Sequence, residues 1–395
     1  MTATTARPEP DALRRAAAAR FDAYIEELRS LVDLDSGTYT PGGVNRVADH
    51  MADRFVSAGW TVDRIPHRPQ AGEPQLGDAL AATLTGGAPE GHRILLVGHM
   101  DTVFPEGTAA ERPFRIEGTR AMGPGVSDMK GGLLAGRYAV ACLQDVGFDD
   151  FASITYVCNP DEEIGSPFSR PIIAERAEGV DACFVLEAGR ENGDVVSSRK
   201  GVADVRITVH GRAAHAGVEP ERGRSAAVQA AHTTLALHEL NGRWPGVTVN
   251  VGVIEGGTRP NVVMERCQLQ VDVRSPHAET FEQALSEVDR IAQDVTVPDV
   301  TVEVARMAGF PPMEKTPGTA RLAELAGSLA RALGFEAHDA ATGGASDANP
   351  VAGMGIPVLD GLGPVGGADH APGEWVDLDS VVPRTALLAA LIASA

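Results

Sequence analysis

"ITYVCNPDEEIGSP", Ile154 to Pro167, runs from five apolar or β-branched residues into a turn that opens on one aspartate and two glutamates in succession. Ile154 to Cys158 is short and rich in strand formers, so it reads as a buried strand. Adjacent carboxylates repel. Three of them at the end of a buried strand require something positive beside them, or a proton held on one of them.

Similar short runs stand on either side: Ala82 to Thr85, Ile94 to Val97 and Ala182 to Leu186. Helical periodicity is clear from Asp11 to Val32 and from Asn45 to Ala58, and "GGLLAGRYAVACLQ", Gly131 to Gln144, reads as a helix packed on a sheet. Strands alternating with helices predict an α/β layered domain whose strand ends carry the chemistry. From Lys200 the pattern changes to strand ("VADVRITVHG"), helix ("RSAAVQAAHTTLALHEL"), two strands ("VTVNVGVIEGG", "CQLQVDVRS"), helix ("TFEQALSEVDRIAQDV") and strand ("VTVEVAR"). That order is a split βαβ unit. After Gly309 the chain returns to helix and short strand, so an inserted domain at 200–308 divides one α/β domain into segments 1–199 and 309–395.

The chain has 395 residues, 43% hydrophobic and 22% charged, enough for a substantial core and more than one domain. A net charge of -20, with 54 acidic against 34 basic residues, repels nucleic acid and anionic lipid. No apolar run approaches the roughly 18 residues of a membrane span. No apolar core follows the N-terminal arginines, so no secretory signal is visible and the expected location is the cytoplasm. Cys142, Cys158, Cys183 and Cys267 show no CxxC pairing and read as reduced core residues.

Upstream, "ILLVGHMDTV" carries the strand Ile94 to Val97 into His99 and Asp101. Residues i and i+2 point the same way, so Asp101 can accept the ring N–H that His99 does not offer to a metal. "GPGVSDMKGG" places Asp128 in a glycine-rich turn before a helix. "VLEAG" puts Glu187 at another strand end, and "GGADHAPGE" puts His370 in a loop. Singly, these read equally well as a helix cap, a solvated strand end and a surface histidine. Together they are the donors that a metal site on a sheet edge requires.

Nine segments in order, "GHMDTV", "GVSDMKGG", "DEEIGS", "VLEAG", "GRAAHAG", "GGTRPNVV", "VDVR", "GGASDAN" and "GADHAPGE", resemble the M20 metallopeptidase family, most closely its glutamate carboxypeptidase branch. The resemblance implies a two-domain zinc-exopeptidase fold, in which a mixed-sheet catalytic domain carries an inserted ferredoxin-like (βαββαβ) lid and dimerisation domain. It implies two zinc ions, with cobalt or manganese as substitutes: His99 and Glu187 on one, Glu163 and His370 on the other, Asp128 bridging. A cis peptide between Asp128 and Met129 belongs to the same pattern. Glu162 is then the general base, which answers the opening stretch: one glutamate turns to a metal and its neighbour to the water.

In the inserted domain the resemblance assigns His215, reaching across a homodimer interface, and Asn261 to the oxyanion. It assigns Arg274 to the substrate's free carboxylate, and the segment around Gly344 to the pocket wall. One departure stands out. Phe310 occupies the place of a second arginine, the nearest basic residue being Arg306, so a less acidic or more apolar substrate group is expected unless Arg190, Arg259 or Lys200 compensates. The expected activity is hydrolysis of the amide of an N-acyl or N-peptidyl amino acid, releasing the C-terminal amino acid, which glutamate would be if the arginine is compensated. Domain closure about a hinge would complete the site. The alternatives are an N-acyl amino acid deacylase, a dipeptidase, or an inactive dimeric binding protein.

Overall fold

The computed structural model describes residues 7–395, so residues 1–6, at which the first predicted segment begins, lie outside the described residues. The chain divides into two compact units. One comprises the chain up to Ser197 together with Lys315–Ala341 and Ser346–Ala395; the other comprises Ser198–Glu314 and Thr342–Ala345.

The first unit is built on a six-stranded sheet in the order Thr61–Ile65, Ala79–Thr85, Ser153–Asn159, Arg93–His99, Ala182–Val185, Val358–Leu359. The first two strands run antiparallel to their neighbours and the other four are mutually parallel. The parallel strands are buried on both faces, which is why Arg93–His99 and Ser153–Asn159 read as near-continuous apolar runs. Helix Gly131–Asp145 lies in the core with Leu133, Leu134, Ala139 and Leu143 fully buried. Each large apolar side chain buried in this way contributes roughly 1.5–3 kcal/mol.

The periodic stretch 11–32 is two helices, Pro10–Ala19 and Phe21–Val32, broken at Arg20. The first packs on the C-terminal helix Leu378–Ile392 and on Gly131–Asp145, the second on Gly131–Asp145 and on the turn Val126–Lys130. Two docking directions cannot be served by one straight rod, and Arg20 fixes the corner through a bidentate pair with Asp145 at 2.6 Å.

In the second unit four antiparallel strands take the order Thr248–Gly256, Arg266–Ser275, Gly201–His210, Thr301–Phe310. Helices Ala226–His238 and Ala278–Ala292 cover one face, burying Val205, Ile207, Leu269, Val271 and Val273 against Leu237, Leu285 and Val288. This is the ferredoxin-like topology, with the alternate residues of each strand on the opposite, helix-free face. Among the described residues no helix is long and apolar enough to cross a membrane, and all four cysteines are buried and unpaired.

Candidate metal centre

Parallel strands end their carboxyl termini at a common edge, and the side chains there come from three of them and from two loops. His99 closes strand Arg93–His99, Glu162 and Glu163 form the turn after Ser153–Asn159, and Glu187 follows Ala182–Val185. Asp128 stands in the turn Val126–Lys130 ahead of helix Gly131–Asp145, where the Asp128–Met129 peptide is cis. His370 lies in the loop between the short strands Gly366–Gly367 and Trp375–Asp377, with a left-handed φ of 61°.

The five predicted ligands converge. His99 Nε2 lies 3.0 Å from Asp128 Oδ1 and 3.7 Å from Glu187 Oε1, while His370 Nε2 lies 3.1 Å from Asp128 Oδ2 and 3.2 Å from Glu163 Oε2. Asp128 therefore gives one oxygen to each imidazole. Donor atoms of His99, Asp128 and Glu163 fall within 4.8 Å of one another, as do those of His99, Glu162 and Glu187. Glu163 Oε1 is buried and meets no hydrogen-bond donor. Three carboxylates and two imidazoles around an unsatisfied buried oxygen fit divalent cations bound by oxygen and nitrogen.

The protonation pattern shows the same demand for positive charge. Burial opposes a proton on His99, yet Asp101, Asp128 and Glu187 outweigh it and raise its pKa well above the usual imidazole range. Hydrogen bonds to Asp128 and Glu163 push His370 up to about 10. Burial pushes Glu162 well above the usual carboxylate range against the pull of His99, with Glu187, Asp347 and Glu163 adding to the rise.

Asp101 has a broader part than the sequence suggests. Its backbone carbonyl accepts the His99 Nδ1–H at 3.0 Å, and its carboxylate stands 3.4 Å from that nitrogen. The carboxylate instead accepts from the Thr38 hydroxyl at 2.6 Å and from the backbone N–H groups of Glu162 and Glu163 at 3.2 and 3.3 Å. It pins the turn on which both glutamates stand. Asp161 closes the same turn by accepting from the N–H groups of Phe168 and Ser169.

Sequence reasoning missed Glu374. Its carboxylate is 1% exposed and accepts from three backbone groups of the Asp128 turn, the N–H groups of Gly125 (2.9 Å), Ser127 (2.7 Å) and Asp128 (3.0 Å). Burial pushes it up to about 7 despite those bonds. The only sequence signal was its place four residues after His370.

In the second unit the loops carrying His215 and Asn261 pair with each other: His215 bridges Val262, and the Asn261 carbonyl accepts the Ala216 N–H at 3.0 Å. Both side chains are exposed. Arg274 donates through Nε to the Asp272 carboxylate at 3.0 and 3.1 Å and through Nη1 to the Gly343 carbonyl at 2.8 Å. The Gly344 carbonyl accepts from Arg199 at 3.1 Å. Val202 pairs with Arg274 on one side and with Phe310 on the other, so the three side chains share one sheet face. The segment "GGASDAN" is divided: Gly343 and Gly344 belong to this unit, whereas Ser346, Asp347 and Asn349 are buried in the first.

Residues 95–394 match Peptidase family M20/M25/M40. Carboxypeptidase G2 of Pseudomonas sp. strain RS-16 is 31% identical over 98% of this chain and 92% of its own length. The chain belongs to the M20/M25/M40 peptidase family. Its relatives in that family differ in substrate. Acetylornithine deacetylase of Edwardsiella ictaluri is 25% identical, covering 94% of this chain and 98% of its own. The solved structure of aminopeptidase PepT from Bacillus cereus superposes with a TM-score of 0.77 at 25% identity, covering 94% and 98% of the two chains. As a member of this family the protein is a hydrolase acting on amide bonds.

Proposed function

We propose that the protein is a dinuclear zinc hydrolase that cleaves the amide of an N-acyl or N-peptidyl amino acid and releases the C-terminal amino acid. The observation that carries this reading is the division of Asp128, one oxygen to His99 and one to His370, with Glu187 and Glu163 behind them. His99 and Glu187 would hold one ion and His370 and Glu163 the other. Two divalent ions there would supply Lewis acidity toward the scissile carbonyl and a water.

The chain's own residues do the rest. Glu162, half-buried beside His99 and Glu187, takes the proton from the attacking water and returns it to the leaving nitrogen. His215 and Asn261, on adjoining loops, donate to the oxyanion, and each such donor is worth about 3 kcal/mol in a preorganised site. Arg274, its Nε held by Asp272, directs its remaining N–H groups to the substrate carboxylate. Phe310, in the same row, supports a neutral released residue in preference to glutamate. The relatedness to an acetylornithine deacetylase favours a second reading, deacylation of an N-acyl amino acid by the same machinery.

The protein would work as a homodimer. The outer edge strand Thr248–Gly256 leaves Ile254 57% exposed, and helix Ala226–His238 leaves Leu235 67% exposed. An open edge beside apolar side chains suits a second copy. The unpaired cysteines suit a reducing cytoplasm.

The test loads the protein with zinc, counts metal per chain, and identifies products from N-acyl amino acids, dipeptides and aroyl-glutamates by mass spectrometry. Two ions per chain and a released amino acid are expected. Glu162→Gln should keep both ions and lose about 10²–10⁴-fold in kcat. Turnover at the normal rate in that variant would remove Glu162 from the mechanism.

A further inference from the structure

The turn 159–166, which presents Glu162 and Glu163, is gripped at both ends by one carboxylate from far along the chain. Asp347 Oδ2 accepts from the Asn159 side-chain amide at 2.8 Å, and Asp347 Oδ1 accepts from the Ser166 hydroxyl at 2.5 Å. Ser166 leaves the turn with a left-handed φ of 55°, a conformation uncommon outside glycine, and its bond to Asp347 helps to hold it there. Asp347 stands at the start of helix Ala348–Gly353, where an aspartate usually accepts from free N–H groups of the first turn, yet its side chain caps none of them. Both oxygens serve the Glu162 turn instead.

The chain passes from the second unit to the first between Ala345 and Ser346. In the first unit the Ser346 N–H donates to Asn349 Oδ1 at 2.9 Å, the Ser346 hydroxyl donates to Asp360 at 2.6 Å, and Ser346, Asp347 and Asn349 are all buried. In the second the Gly343 carbonyl accepts from Arg274 at 2.8 Å and the Gly344 carbonyl from Arg199 at 3.1 Å. Residues 343–347 are thus a short strap. One end is tied to the arginine assigned to the substrate carboxylate, the other to the turn of the general base.

We infer that Asp347 is a positioning residue for Glu162, and that the strap 343–347 carries to it the engagement of a free substrate carboxylate on Arg274. The inference rests on the amide-hydrolase reading and on the role given there to Arg274. A carboxylate that fixes the plane of the guanidinium also fixes the Nη1–H on which Gly343 hangs. From Gly343 onward each link is backbone or a buried side chain, so the constraint reaches Asn159 and Ser166. Binding energy from a part of the substrate that does not react then orients the groups that do, and a substrate lacking the carboxylate loses kcat as well as affinity.

The test compares N-acetyl-leucine and N-acetyl-glutamate with their α-carboxamides, as kcat and KM on the zinc-saturated protein and as backbone hydrogen exchange across 159–166 in its Glu162→Gln variant. The carboxylate should raise kcat at least about fivefold, a modest coupling between two sites, and should protect the turn from exchange. Asp347→Ala should lower kcat about 10²-fold, the cost of a slightly misplaced group, and bring the acid-to-amide ratio of kcat toward one while the ratio of KM stays as it was. Ser166→Ala, which frees one end of the turn, should move the kcat ratio the same way. Asp347→Asn can accept from Asn159 and donate to a reversed Ser166 hydroxyl, so it should restore the ratio. A ratio unmoved by Asp347→Ala and Ser166→Ala would overturn the inference. So would failure of Asp347→Asn to restore it, since charge and not the two bonds would then act on Glu162. Protection that follows the carboxylate and vanishes in Asp347→Ala, with no compound hydrolysed, would keep the strap and overturn the amide-hydrolase reading. Hydrolysis with protection indifferent to the carboxylate would do the reverse.

Discussion

Glu374 meets no predicted ligand side chain directly, yet it gathers the backbone of the turn that presents Asp128 and lies four residues beyond His370. Replacing it with glutamine substitutes an N–H donor for one of two acceptors and sets it against other donors. Glu374→Gln should lower metal affinity by about 10–100-fold, read by competition with a chelator, while the metal-free fold melts nearly as before. Asp347 supplies a different test. It accepts from Asn159 at 2.8 Å and Ser166 at 2.5 Å, and burial pushes its pKa up to about 6 from 3.8. The folded state therefore holds its proton longer than the unfolded state, so stability from this group falls as pH rises from about 4 through about 6. Asp347→Asn removes that loss, and the Ser166 hydroxyl can reverse to accept from the new amide. Its melting temperature should exceed the parent's by more at about pH 8 than at about pH 4. The five candidate ligands, which the fold brings together, could be picked out only through the nine ordered segments, because singly each acid or histidine reads equally well as a cap, a strand end or a surface residue. Glu374 and Asp347 were not legible, because their partners are backbone groups or side chains far along the chain and no spacing marks them.

Among the elements, helix Leu378–Ile392 carries the most demanding side chain. Arg384 is buried and donates to the carbonyls of Gly361, Gly363 and Gly193, the last at 2.7 Å. A Cβ on Gly189 would come within 2.8 Å of its guanidinium carbon, so the loop after Glu187 is shaped around it. Burial lowers its pKa to about 10, which leaves it cationic at neutral pH. Arg384→Met would strand three carbonyls and should destabilise the protein by about 3 kcal/mol or more, measured by calorimetric melting. Strands and the two helices of the inserted unit were legible from their periods. The break at Arg20 was not, because both halves of the stretch keep one apolar stripe, and only the first half's added packing on the C-terminal helix requires the corner. The carbonyls bound by Arg384 were equally silent, since glycines around a buried guanidinium look like any loop.

At the scale of the whole molecule, the proposed dimer makes activity depend on association. Leu235→Glu combined with Ile254→Lys should yield monomers in sedimentation, with kcat reduced about 100-fold if a partner's His215 completes each site, since one lost oxyanion donor has that effect. Monomers of full activity would show that no residue is borrowed. The order of the units has a further consequence during synthesis. Ser198–Glu314 is nearly all of the second unit in one stretch, so its sheet can close as it emerges. The first unit must wait: its outer strand Val358–Leu359 pairs with Ala182–Val185, and its last helix packs on Pro10–Ala19 and Gly131–Asp145. The Arg7 guanidinium also reaches the Ser394 carbonyl, at 3.5 Å. A ribosome-bound chain would thus hold four of the five predicted ligands and still have no metal centre. Metal capture, on this architecture, is a late event of biogenesis.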